Sequence, residues 1–170
     1  VNDAVVHGIP NDTPLKDGDV VGFDFGVTYD GMITDAARTV IVGTASSEVE
    51  QLVKTTKRSL DEAINTVKNG VSIGTISATA QDVMEQQNYG VVRDLVGHGV
   101  GHHVHEEPEI PNYGHKNTGP TLKTGMTVAI EPMATLGDWK VVVDPDGWTI
   151  RTRDGSLAAH FEDTILVTDN

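Results

Sequence analysis

The sequence predicts one α+β domain, an antiparallel or mixed sheet carrying two helices. Three observations lead there. Short runs with strand alternation and turn signals occupy both ends of the chain, helical spacing is confined to the middle, and no linker or repeated period interrupts them. At 170 residues the chain suits a single domain with a sizeable core. Its 38% hydrophobic and 22% charged content is ordinary for a soluble globular protein.

The elements follow in order. Val5 to Pro10 is a short apolar element stopped by proline. After an Asp17-Gly18 turn, DVVGFDFGVTYDGMITDAARTVIVG reads as two strands joined at Asp30-Gly31, a type I′ hairpin signal. Ser47 and Glu50 have the spacing of a capping box. Behind them Val49, Leu52, Val53, Leu60, Ala63, Ile64 and Val67 recur at helical intervals, and Gly70 is the expected C-terminal cap. A second helix is expected from about Ser77 to Asn88, closed by Gly90. Strands return with Val91 and Val92, MTVAIEP (126–132), a pair around the Pro-Asp-Gly turn of WKVVVDPDGWTIRT, and HFEDTILVT (160–168) as one final strand.

Composition excludes several functions. Twenty-five acidic against twelve basic residues give a net charge of −13, which argues against a general binder of nucleic acid or anionic membranes. The absence of cysteine removes disulfides, thiolate ligands and a cysteine nucleophile, so any metal must sit on oxygen and imidazole. No apolar run approaches the ~18 residues of a membrane span, and no signal-peptide pattern opens the chain, so cytoplasm is the expected location. The chain starts within structured sequence and without an initiator Met, which creates an expectation of further residues upstream.

Asp24 and Asp35 form the first informative pair. With Asp30 and Gly31 as the turn, Asp24 faces Ala37 and Asp35 is its diagonal neighbour on the same face. Their Cβ atoms should lie roughly 6 to 8 Å apart. The apolar flanks Val21, Phe23 and Phe25 suggest a pair inside a sheet, where two carboxylates repel unless a cation compensates. From this segment alone, a solvent-facing Asp35 near a sheet edge with Asp24 capping a turn stays open. Glu131 ends the MTVAI strand, and Glu162 shares a strand face with Thr164 and Leu166. Either glutamate alone reads as a surface residue, yet burial of its strand would make an unpaired carboxylate costly.

GHGVGHHVHEEP packs four histidines and two glutamates into twelve positions. Gly97, Gly99 and Gly101 around His98 allow close backbone approach and leave room for an ion or a peptide. In an extended segment His103 and His105 would share a face and His102 would oppose them. His7, alone beside a proline turn, reads more readily as a structural group. His115 and His160 carry no usable signal. Asp24, Asp35, His98, Glu131 and Glu162 together make a hard, oxygen-rich donor set suited to Mn²⁺, Fe²⁺, Co²⁺ or Zn²⁺, and large enough for two ions if carboxylates bridge. A metallohydrolase is the reading of the residues themselves.

With these positions in view, the chain resembles the type I, bacterial methionine aminopeptidases, within the wider family of prolidase, aminopeptidase P and creatinase. NDAVVHGIP, VGFDFGVTYDGMITDAART, GHGVGHHVHEEP, LKTGMTVAIEPM and DGWTIRTRDGSLAAHFEDTILVT carry the likeness, in family order and over nearly the whole chain. The resemblance implies a pita-bread fold, two pseudo-symmetric halves around a curved antiparallel sheet with helices outside. It implies that Asp24 chelates one ion, that Asp35 and Glu162 bridge both, and that His98 and Glu131 complete the other ion's shell. It also implies Glu131 as the base for the attacking water, His105 at the carbonyl oxygen, and His7 at the scissile amide nitrogen.

Trp148 matches a wall of the methionine side-chain pocket, though a core tryptophan on a strand is the alternative. Val104 stands where these enzymes often carry phenylalanine and is closer to the prolidase pattern, which bears on pocket shape. The implied substrates are N-termini of nascent polypeptides with a small second residue, with ribosome association a further expectation. An Xaa-Pro peptidase and a non-catalytic protein-binding member of the same fold are the rival functions. The expected domain is one catalytic unit over residues 1–170, lacking an αβ portion that family members carry ahead of His7. A naturally shortened form would keep its metal shell and lose methionine selectivity through an open pocket.

Overall fold

Two ten-residue strands, joined by a two-residue turn, form one edge of the largest sheet. The computed structural model describes residues 1–169. Strands β1 (Ala4–Val6), β2 (Val20–Tyr29) and β3 (Met32–Ile41) come first. Asp30 and Gly31 both take positive φ, 48° and 77°, so the β2–β3 turn has the primed geometry. That turn sets the register: Tyr29 pairs with Met32 and Asp24 with Ala37, as the spacing predicts.

Helices α1 (Ser47–Ile64) and α2 (Ile73–Glu85) follow. The cap of α1 is Ser46 rather than Ser47, its hydroxyl accepting from the Val49 N–H, and the helix ends at Ile64, well before Gly70. Helix α2 begins four residues earlier than expected, at Ile73, because the chain after it folds back onto its first turn. The Ile73 and Gly74 N–H groups donate to the carbonyls of Pro120 and Thr118. The helices are tied by the buried Ser59 hydroxyl, which donates to the Ala80 carbonyl at 2.9 Å. Together they bury Leu52, Leu60, Ile76 and Met84 against Val128 and Ile130 of the sheet.

The remaining strands are β4 (Gly90–Val91), β5 (Val96–Gly99), β6 (Glu106–Pro111), β7 (Thr127–Ile130), β8 (Met133–Thr135), β9 (Val141–Val143), β10 (Ile150–Thr152), β11 (Ala158–His160) and β12 (Glu162–Leu166). A six-stranded sheet runs β2-β3-β12-β7-β5-β6, and two three-stranded sheets run β11-β8-β4 and β1-β10-β9. Every pairing among them is antiparallel.

The expected single final strand is split. Phe161 separates β11 from β12, and Glu131-Pro132 separates β7 from β8. Two neighbouring chains thus leave the large sheet for a small one along a single line, where Pro132 has no N–H to continue a ladder. The sheet bends there. Two further expectations are corrected. β2 is the edge strand, so Phe23 (51% exposed) and Phe25 (54%) face solvent instead of an interior. Residues 101–105 form bends, so the alternation expected of His102, His103 and His105 does not apply. Among the described residues no helix is long and apolar enough to cross a membrane.

The glycines around His98 are close-approach positions. A Cβ on Gly97 would lie 2.4 Å from the Ala129 carbonyl oxygen, and one on Gly99 2.3 Å from that of Glu107. Gly97→Ala should therefore force β5 from β7 and destabilise the protein by about 2–3 kcal/mol. A lower denaturant midpoint with an unchanged slope checks it.

Candidate metal centre

One face of the bent sheet collects the charged residues. On β2 and β3, Asp24 and Ala37 are opposite, and Ala37 is in turn opposite Glu162 of β12. Asp24, Ala37 and Glu162 thus form a row across three strands, with only a methyl group between two carboxylates. A second row joins Asp35, the register neighbour of Gly26, to Thr164, Ala129 and His98. Glu131 follows Ala129 by two residues and faces the same way, while Val128 and Ile130 point back to the helices.

Threonines extend the β3–β12 ladder at its two ends. The Asp35 N–H donates to Thr164 Oγ1, which donates to the Asp35 carbonyl, both at 2.8 Å. At the other end the His160 N–H donates to Thr39 Oγ1 at 2.9 Å, and that hydroxyl donates to the His160 carbonyl at 2.7 Å. Between them Arg38 donates to the Glu162 carbonyl and to Asp163, both at 2.5 Å. Backbone position along this seam is fixed without the side chains of Asp24 and Glu162. The buried Asn112 amide likewise donates to the Glu131 carbonyl at 3.0 Å.

The side chains converge. His98 Nε2 lies 3.3 Å from Glu131 Oε1 and 4.0 Å from Glu162 Oε1. His98 Nδ1 is 3.0 Å from the Gly99 carbonyl, an atom that can only accept, so Nδ1 keeps its proton and Nε2 is the nitrogen a metal would take in exchange for a proton. His105 stands edge-on to His98, ring centroids 4.4 Å apart. His7, at a left-handed φ of 60°, stacks on Trp148 with centroids 5.1 Å apart. Trp148 is 58% exposed, so the expected alternative of a core tryptophan is excluded. Val104 lies on the bent segment between His103 and His105, partly in solvent.

The electrostatics are those of an uncompensated anionic cluster. Burial, and then the charges of Glu131, Asp35 and Asp24, push the Glu162 carboxyl up to about 9. Burial also raises Glu131. Withdrawal of water, with the field of Asp35, raises Asp24. Burial opposes charge on His98, but Glu131, the Gly99 carbonyl and Asp35 outweigh it and raise its pKa. His105 is lowered by burial and by His98.

A divalent cation fits this cluster. Asp35, His98 and Glu162 can each offer one ligand atom within 4.8 Å of the others. Glu162 Oε1 is buried and has no hydrogen-bond partner. Such an orphaned carboxylate oxygen, in an oxygen and imidazole set, is what a hard or borderline ion satisfies. Asp24 and Glu131 flank the trio. Unforeseen in the sequence is His160, buried at the bend, with Nε2 3.6 Å from Glu131 Oε2 and 3.9 Å from Glu162 Oε2. Its two-residue spacing from Glu162 was the available signal.

Comparison with known proteins agrees with this geometry. The model of metallopeptidase family M24 matches residues 1–169. The methionine aminopeptidase of Clostridium perfringens is 45% identical over 170 residues, covering all of this chain and 68% of the relative. The crystal structure of the Thermotoga maritima methionine aminopeptidase superposes with a TM-score of 0.97 at 49% identity, over 99% of this chain and 68% of that one. The prolidase from Pyrococcus furiosus is more distant, with a TM-score of 0.76, 26% identity and coverage of 99% and 44%.

Proposed function

Because the chain belongs to metallopeptidase family M24, we propose that it removes N-terminal methionine from polypeptides whose second residue is small. The observation that carries this reading is the convergence of Asp24, Asp35, His98, Glu131 and Glu162 on one face, with a buried Glu162 oxygen left unpaired. Two divalent ions are the proposed complement. Asp24 would hold one, His98 and Glu131 would hold the other, and Asp35 and Glu162 would be the ligands the two share. Bound there, divalent cations supply Lewis-acid polarisation of the scissile carbonyl and acidify water.

The chain's own groups do the rest. Glu131, which faces the cluster from the end of β7, is placed to accept the proton of the attacking water. His105, beside His98, is placed to stabilise the negative charge that develops on the carbonyl oxygen. His7 contacts the scissile amide nitrogen and hands a proton to the departing amine. Its stack on Trp148 fixes the ring and builds one wall for the methionine side chain. The substrates are proposed to be nascent chains in the cytoplasm, met as they leave the ribosome.

Hydrolysis of Met-Ala-Ser with Mn²⁺ or Co²⁺, compared with Leu-Ala-Ser and an Xaa-Pro dipeptide, tests the proposal. Release of methionine, lost on chelation and restored by metal, is expected. Preferential cleavage of the Xaa-Pro bond would move the protein to the prolidase side of the family, and leucine release at an equal rate would remove the methionine pocket.

A further inference from the structure

The mechanism above leaves one buried imidazole unused. His160 is 4% exposed and its Nε2 has no hydrogen-bond partner. Its backbone is held on both sides, by Thr39 and by pairing with Met133 of β8, so the ring has little freedom to turn away. The ring addresses the same two carboxylates as His98, from different oxygens. His98 faces Oε1 of Glu131 and of Glu162, whereas His160 faces Oε2 of each.

We infer that His160 is a positioning residue of the metal centre, whose Nε2–H holds the Oε2 atoms of Glu131 and Glu162 so that their Oε1 atoms are presented beside His98. Ionised, as metal binding requires, both carboxylates only accept, so the facing nitrogen must donate. Its separations of 3.6 and 3.9 Å close to hydrogen-bond length with movements of about 0.5 and about 0.7 Å. Fixing the outer oxygens removes the freedom of two carboxylates to rotate, which is how groups behind the ligands raise metal affinity. The inference rests on the metallopeptidase reading but concerns a residue outside the ligand set.

Calorimetric titration of the full chain with Mn²⁺ tests it, using His160→Leu, which removes the donor, and His160→Gln, which keeps an N–H at similar reach. The expected result is a Mn²⁺ affinity at least about 10-fold weaker in His160→Leu and within about threefold of wild type in His160→Gln. The fall in activity should lie in kcat rather than KM. Metal-free His160→Leu should unfold no earlier than wild type, since the orphaned nitrogen is gone. In the Zn²⁺-loaded wild type, proton–nitrogen NMR should show His160 protonated on Nε2.

Affinity in His160→Leu within twofold of wild type would overturn the inference, as would a His160→Gln as weak as His160→Leu. Loss of the Nε2 proton on zinc loading would also overturn it, by making His160 a direct ligand. If His160→Leu does not fold, His160→Asn, too short to reach, takes its place in the same comparison. A wild type that takes up no Mn²⁺ would instead bring down the metallopeptidase reading itself.

Discussion

Asp35→Asn should abolish manganese uptake and lower Met-Ala-Ser hydrolysis by at least about 1,000-fold, while the protein stays folded. The size of the effect follows from position. Asp35 belongs to the trio whose ligand atoms lie within 4.8 Å of one another, and in the proposed centre it is shared between both ions. Loss of its charge removes several kcal/mol of metal-based stabilisation of the transition state, and about 4 kcal/mol already corresponds to three decades in rate. The fold is insulated from the change. Thr164 holds the Asp35 backbone in both directions, and the Ala36 N–H that donates to Asp35 Oδ1 at 3.0 Å would find the same oxygen in asparagine. Calorimetry with Mn²⁺ and the thermal midpoint of the metal-free variant check the two halves. Retention of either metal uptake or hydrolysis would remove Asp35 from its bridging role.

What could be read beforehand follows from which forces are local. The Asp30-Gly31 turn fixes its own geometry, so the β2–β3 register, and with it the diagonal of Asp24 and Asp35, was legible in full. Helix α2 was misplaced because Gly74 looks like a breaker. In the fold its missing side chain is required, since a Cβ there would meet the His115 carbonyl and Thr118 hydroxyl oxygens at 2.3 Å. That constraint belongs to a loop forty residues away, and local propensity cannot contain it.

The apolar flanks of Asp24 misled in a similar way. Phe23 and Phe25 have the chemistry of an interior strand, and only the strand order shows that β2 lies at an edge. His160 escaped for a third reason. A continuous 160–168 strand already puts His160 on the face of Glu162, but that spacing alone does not say whether the ring is buried against Glu131 as well. The residue became visible once the fold set its ring beside both carboxylates.

Glu162→Gln should separate the two states of this site in opposite directions, stabilising the metal-free protein while eliminating stabilisation by metal. In the metal-free fold the Glu162 carboxyl is raised from 4.5 to about 9, so folding takes up a proton between those values. A raised folded-state pKa contributes stability that is complete below 4.5 and is lost as pH climbs toward 9. By pH 7 the loss from this group alone is about 3 kcal/mol. Glutamine has no such ionisation. Its metal-free protein should therefore be more stable than wild type by up to that amount at pH 7, with a flatter alkaline limb. The limb shrinks without vanishing, because Glu131 and Asp24 are raised in the same sense.

The acid limb should not change. His160, lowered from 6.5 to about 3 by burial and then by His7, contributes stability present above 6.5 and lost as pH falls toward 3. Metal reverses the order of the two proteins. Cation binding needs the Glu162 carboxylate, so wild type should release about one proton per site filled at pH 7 and gain thermal stability in proportion to free Mn²⁺. Glu162→Gln should do neither. Thermal midpoints from pH 4 to 9 with and without Mn²⁺, together with calorimetry in buffers of different ionisation enthalpy, measure both effects. A metal-free Glu162→Gln less stable than wild type at pH 8 would mean that the carboxylate is compensated by something other than a cation, and the electrostatic basis of the proposed centre would fail with it.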